Sequence, residues 1–244
     1  HGGVERALVL VNRNQPEQLR SMLEGAFERQ PVQVTETTAA EYPENTVLLL
    51  DGEGEVLAES PLDVVSESLL FTNSDAYITG STSLEETDLP DVISGLEDVT
   101  FHLRGYPQSD KEKLLLIAVS RHIERIAWNR DGGTLRSSFQ RLSRIRDEVG
   151  TERVYRRLGE SGVDVHVYGV DDGGTPEGLG LTIHAGDIED YRDSWFVVHR
   201  PPNPEHEDAI ALLAIQDENG VWDGFFTRNT EEVLAIDDHI KAAL

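Results

Sequence analysis

Short apolar runs of strand length alternate with longer segments of helical period along nearly the whole chain, and this limits the fold to a class in which helices cover a sheet. Residues 7–11 form the first run, and residues 16–27 follow with Leu19, Leu23 and Phe27 at helical spacing. Residues 32–35 and 47–51 read as strands, and the turn Asp51-Gly52-Glu53-Gly54 predicts a hairpin between 47–50 and 55–59. Ser60 is placed to cap a helix with Pro61 at its first position, running to about Leu70. Residues 72–88, rich in Thr, Ser and Asp, read as a loop or hinge before a short helix over 90–96.

A second unit opens with a strand over 100–103. Ser109 and Glu112 have the spacing of a capping box, and the helix behind them should bury Leu116, Val119, Ile123 and Ile126 before Asp131-Gly132-Gly133 ends it. Residues 134–139 suit a strand or irregular turn, 140–149 a short helix and 152–158 another. Strands follow at 163–168, 181–184, 195–199, 209–216 and 221–227. Asn229 and Glu232 cap a last helix that should bury Val233, Ile236, Ile240 and Ala243. The expected fold is α/β (α+β): a mixed sheet flanked by helices, with an N-terminal α/β unit over 4–98 and a second unit over 99–244.

The 244 residues suffice for a sizeable core. No apolar stretch approaches the roughly 20 residues of a membrane span, and the first residues lack a signal-peptide pattern, so a cytoplasmic protein is expected. His1-Gly2-Gly3 reads as a tag scar or as the start of a piece of a longer chain. Without cysteine there are no disulfides, thiolate nucleophiles or cysteine-held metals. The 46 acidic against 21 basic residues, only three of them Lys, give a net charge of −25. Such a charge repels itself in dilute buffer, but molar salt shortens the Debye length to about 3 Å, so the balance is that of a halophilic protein.

One segment runs against this charge. Residues 121–157 hold ten arginines and five acids. Guanidinium groups so concentrated can hold an acidic partner or ligand, or can pair internally with the acidic remainder of the fold.

The series His122-Ile123-Glu124, Gly133-Thr134-Leu135, Phe139-Gln140, Val154-Tyr155, Leu158 and Val163-Asp164-Val165-His166-Val167-Tyr168-Gly169 resembles the DICT sensory domain. That family takes its name from diguanylate cyclases and two-component systems, and stand-alone forms are common in halophilic archaea. The resemblance covers roughly residue 103 to the C-terminus, and the first hundred residues look like the N-terminal extension of the archaeal forms. It implies a signal-input role, with no catalytic residues to carry over; no cofactor is expected.

Searches for catalytic patterns fail on particular residues. The glycine-rich stretch 171–180 has no lysine to reach a phosphate and reads as a solvated hairpin loop. His206-Glu207 begins a zinc-protease motif, but Ile210 stands where the second histidine is required. Asp187, Glu189, Asp190 and Asp193 read as a helix start and solvated face. His122 sits in a helix that superficially resembles a phosphoacceptor helix, but a packed histidine is the simpler reading. The chain is therefore expected to be no enzyme and to bind a signalling protein or a small ligand. A transcription-associated regulator and an enzyme of unfamiliar type are the alternatives; direct nucleic-acid contact is not expected at −25.

The candidate binding surface is Trp128, Arg130, Arg136, Phe139, Gln140, Arg141 and Arg144, where aromatic area, an amide and guanidinium groups surround Gly132-Gly133. On this reading Arg136→Glu or Gln140→Ala abolishes binding with the melting temperature nearly unchanged. The competing reading makes Trp128 and Phe139 core residues that hold the long helix to the sheet.

Overall fold

The computed structural model describes residues 5–28, 30–70, 89–104, 110–147, 149–204 and 209–244. Strands β1 (Arg6–Val11), β2 (Val32–Thr37), β3 (Thr46–Leu50) and β4 (Val56–Pro61) form one sheet in the order β2-β1-β3-β4. Helix α1 (Glu17–Phe27) makes the crossover between parallel β1 and β2, while β3 and β4 form the predicted antiparallel hairpin. Helices α2 (Leu62–Leu70) and α3 (Asp91–Ser94) follow.

The second sheet has seven strands in the order β5-β11-β10-β9-β6-β7-β8. They are β5 (Phe101–Arg104), β6 (Thr134–Arg141), β7 (Asp164–Val170), β8 (Thr182–Gly186), β9 (Ser194–Arg200), β10 (Ile210–Gln216) and β11 (Val221–Thr227). Pairing is antiparallel from β5 through β9 to β6 and parallel from β6 to β8, so β6 is the strand at which direction switches. The helices of this half are α4 (Asp110–Arg130), α5 (Arg144–Asp147), α6 (Val149–Gly159), α7 (Glu189–Asp193) and α8 (Thr230–Ala243). The mixed α/β class is the one expected.

Alternation along the strands separates two apolar layers. Leu135, Val165, Val167 and Leu212 face α4 and α6, in a core that continues through Leu116, Val119 and Ile123 to Leu8, Leu10 and Leu49 of the first sheet. On the other face Tyr168, Phe196, Val198 and Ala211 pack with Val233 and Ile240 of α8. Each Val, Leu, Ile or Phe side chain among them contributes about 1.5–3 kcal/mol. Among the described residues, no helix is long and apolar enough to cross a membrane.

Several local expectations change. Pro61 remains in β4 opposite Thr46, so α2 starts at Leu62, and Ser60 Oγ accepts from Val92 N (3.2 Å) at the start of α3 instead of capping α2. The helix expected over 140–149 divides, because Leu142 N donates to Val170 O (3.0 Å) and extends the chain along β7 before α5 begins. The inward stripe of α8 advances from Val233 through Asp237 and Ile240 to Leu244; Ile236 is only partly buried and Ala243 is exposed. The 171–180 stretch joins parallel β7 and β8, so it is a crossover and no hairpin. Its end presses on α6, where a Cβ on Gly159 would run into the Leu179 carbonyl oxygen. The loop expected over 72–88, Ser109 and the His206-Glu207 pair lie outside the described residues.

Candidate functional site

Strand β6 carries most of the expected site, and its pleat sends successive side chains to opposite faces. Arg136 and Ser138 face α8 and α7, while Leu135 and Phe139 face α6, where the Phe139 ring meets Tyr155 edge-on at 5.0 Å. The seven expected residues therefore fall into three places. Trp128 and Arg130 close α4 at the start of β6, Arg136 and Phe139 lie along the strand on its two opposite faces, and Gln140, Arg141 and Arg144 gather at its far end, roughly 20 Å from Thr134 at about 3.3 Å of rise per residue.

At the α4 end, Trp128 is half-buried against the core. It lines an open cleft of about 480 Å³ with Asp131, Arg157, Glu160 and Ser161. Arg130 is exposed beside it.

Mid-strand, Arg136 is 5% exposed, contrary to the expectation that it could be reversed in charge at no cost to stability. Its Nε donates to Asp237 Oδ1 (2.7 Å) and its Nη1 to Tyr168 Oη (2.9 Å). Asp237 also accepts from Arg200 Nη1 (3.1 Å), which in turn reaches Asp238 (3.0 Å). Burial opposes the Arg136 cation, yet the bond and charge of Asp237 prevail and hold its pKa above the ordinary guanidinium value. Burial likewise raises Tyr168, so it meets Arg136 as a neutral phenol.

At the far end, β6 bulges between Ser138 and Arg141, and Gln140 adopts φ 48°, a left-handed conformation rare outside glycine. Two hydrogen bonds of its own side chain hold it there. Gln140 Nε2 donates to Ser194 O (2.8 Å), while its Oε1 accepts from Arg144 Nη1 (2.5 Å). Ser138 Oγ accepts from Phe196 N (2.8 Å), replacing main-chain pairing where β6 leaves β9. Arg141 and Arg144 are exposed. Asp172, held below the usual carboxylate pKa by Ser143, accepts from Ser143 Oγ (2.8 Å) and N (3.1 Å) beside them. An amide, two guanidinium groups and a fixed carboxylate can orient a polar ligand or partner.

Of the remaining arginines in 121–157, Arg121 donates to buried Glu124 (2.6 Å) and Thr151 (2.6 Å), and Arg156 pairs with Glu152 (2.6 Å). His122 is 6% exposed with Nε2 3.1 Å from Arg228 Nη2, the packed arrangement. Among the described residues, no cluster of three or more His, Asp and Glu is placed to hold a metal.

Residues 92–215 match the family described as a sensory domain in diguanylate cyclases and two-component systems, DICT. The chain belongs to the DICT family. DICT is a sensory domain of signalling proteins. The DICT match begins within α3 and ends in β10, so β11 and α8 lie beyond it. No curated protein matches the chain. Among solved structures it is similar to polyphosphate kinase from Porphyromonas gingivalis at 16% identity and a TM-score of 0.39, over 65% of this chain and 26% of that one. A likeness of that size bears on neither the DICT fold nor its chemistry.

Sequence reasoning missed the Arg136–Asp237 network. Two signals for it existed: a charged residue on the apolar stripe of the last helix, and polar Asp164, His166 and Tyr168 at every second position of β7.

Proposed function

We propose that this chain is a non-enzymatic signal-input domain that binds a signalling partner or a small ligand at the carboxyl end of β6, through Gln140, Arg141 and Arg144. Membership of the DICT family over residues 92–215 carries the input role. The left-handed Gln140, clamped between Ser194 and Arg144, supports the location, because strained backbone persists where surrounding contacts overdetermine it. Trp128, Arg130, Arg136 and Phe139 then serve as supports, with Arg136 and Phe139 setting the two faces of the strand that presents the tip.

The net charge of −25 supports a halophilic cytoplasm as its setting. The division into 4–98 and 99–244 is read as an extension plus the DICT unit, with the family match reaching back across that boundary to residue 92 in α3.

The test is a pull-down of the cell's own histidine kinases and cyclases by the wild type, Q140A and the double variant R141E/R144E. Binding is expected to fail in both variants, while R141E/R144E, which also removes the Arg144 bond to Gln140, costs only about 1 kcal/mol and leaves the chain folded. Full binding by R141E/R144E removes this surface from the reading.

A further inference from the structure

On the α8 face of the second sheet, a second polar chain leads away from Arg136 to the sheet edge. Asp164 Oδ2 lies 3.0 Å from His166 Nε2, and His166 Nδ1 lies 2.9 Å from His184 Nε2 on β8. The imidazoles meet edge to edge, with centroids 5.2 Å apart and planes inclined by 23°. The His184 ring then lies flat on Tyr168, centroids 4.2 Å apart and planes within 6°. Tyr168 takes the bond from Arg136, and Arg136 seats Asp237 of α8.

Proton count governs this arrangement. Beside a carboxylate, neutral His166 carries its proton on Nε2, so bare Nδ1 accepts from His184 Nε2–H. A first added proton is accommodated, because it turns the contact between the rings into a charge-assisted bond. A second leaves both facing nitrogens as donors, and the bond cannot form. Among the described residues, the charged groups facing the pair are Asp164, 3.0 Å from His166, and Arg136, which opposes charge on His184. Tyr168 and Tyr191 add neutral phenols, and Asp237 is occupied by Arg136 and Arg200, the latter shared with Asp238. Burial, then His166, then Arg136 hold His184 below the ordinary imidazole pKa.

We propose that the His166–His184 pair is the proton-binding input of this domain, whose second protonation breaks the imidazole bond, lifts His184 from Tyr168 and loosens the Tyr168–Arg136–Asp237 seat of α8. The inference rests on the sensory reading and names its stimulus. The site is built to yield, since β8 is the outer strand of its sheet and, among the described residues, pairs with β7 alone.

The test is an NMR titration of both imidazoles in the full chain, with amide hydrogen exchange over 182–186 and 230–243, from about pH 8 to about pH 5 to span the imidazole range. Two macroscopic steps are expected, the second below the ordinary value, with exchange in both segments rising about tenfold at the second step only. H184Q keeps a donor for His166 but takes no proton, so the rise should vanish. H166Q serves the same purpose if H184Q is unstable. Independent titration of the two rings at ordinary values, flat exchange in the wild type, or a rise that survives in both variants overturns the proposal. These readouts involve no partner, so their failure leaves the sensory role open to another stimulus, whereas failure of that role is read in the pull-downs.

Discussion

Gln30 and His102, 72 residues apart, pair as two strand residues would: Gln30 Nε2 donates to His102 O (2.9 Å) and His102 N donates to Gln30 Oε1 (2.8 Å). A side-chain amide thus occupies the open edge of β5 and ties the first sheet's connection to the second sheet. Q30A should cost about 1 kcal/mol, since the freed main-chain groups can be hydrated. It should also raise self-association at that uncovered edge. Denaturant melts and sedimentation velocity of Q30A check both outcomes; a variant equal to the wild type in each would show that the amide contributes nothing.

Removing Asp237 strands Arg136 in the interior. D237A is expected to destabilise the chain by about 3–5 kcal/mol, as breaking a buried ion pair does, whereas the paired replacement R136M/D237L should recover most of that loss. R136E should unfold the protein outright, because it sets a carboxylate against Asp237. Chemical denaturation of the three variants gives the comparison, and a D237A melt within 1 kcal/mol of wild type would contradict the packing described.

Alkaline pH should weaken the fold. Tyr155 is fully buried, its Oη donating to Glu124 Oε1 (2.8 Å), and burial followed by the Glu124 charge raises its pKa well above the ordinary value. Burial raises Tyr168 and Tyr191 in the same direction. Above about pH 10 the unfolded chain loses phenolic protons that the folded chain keeps, so stability is full below that pH and falls as pH rises through it. Y155F should make the fall shallower by one proton. Urea melts from neutral to strongly alkaline pH would measure the slope.

Salt should raise the melting temperature. With a net charge of −25, self-repulsion is screened as potassium chloride approaches molar concentration. Circular dichroism melts at low and molar salt test this, and equal melting temperatures would remove the halophilic reading.

The parts of the fold legible in the sequence are those fixed by local pattern. Leu116, Val119 and Ile123 are buried as their spacing required, and Asn229 accepts from Glu231 N and Glu232 N as a cap should. What escaped depends on distant partners. Ser60 has the composition of a helix cap, but which helix it caps depends on Asn45, whose carbonyl accepts from Leu62 N (2.8 Å). Arg136 looks like any strand arginine until Asp237, a hundred residues on, is folded over it. The candidate site was legible only as a composition: proximity in sequence placed seven residues together, while strand geometry spread them along β6 and left Gln140 and Arg144 in contact.

The position of α8 bears on how this protein can be handled as a piece. A fragment cut to residues 92–215 would discard β11, to which β5 pairs, and would strip β10 to a bare edge. It would also remove the carboxylate that neutralises Arg136. The stretch recognised by ancestry is thus smaller than the unit that can close its own sheet, and expression or domain-grafting work needs the chain carried through Leu244.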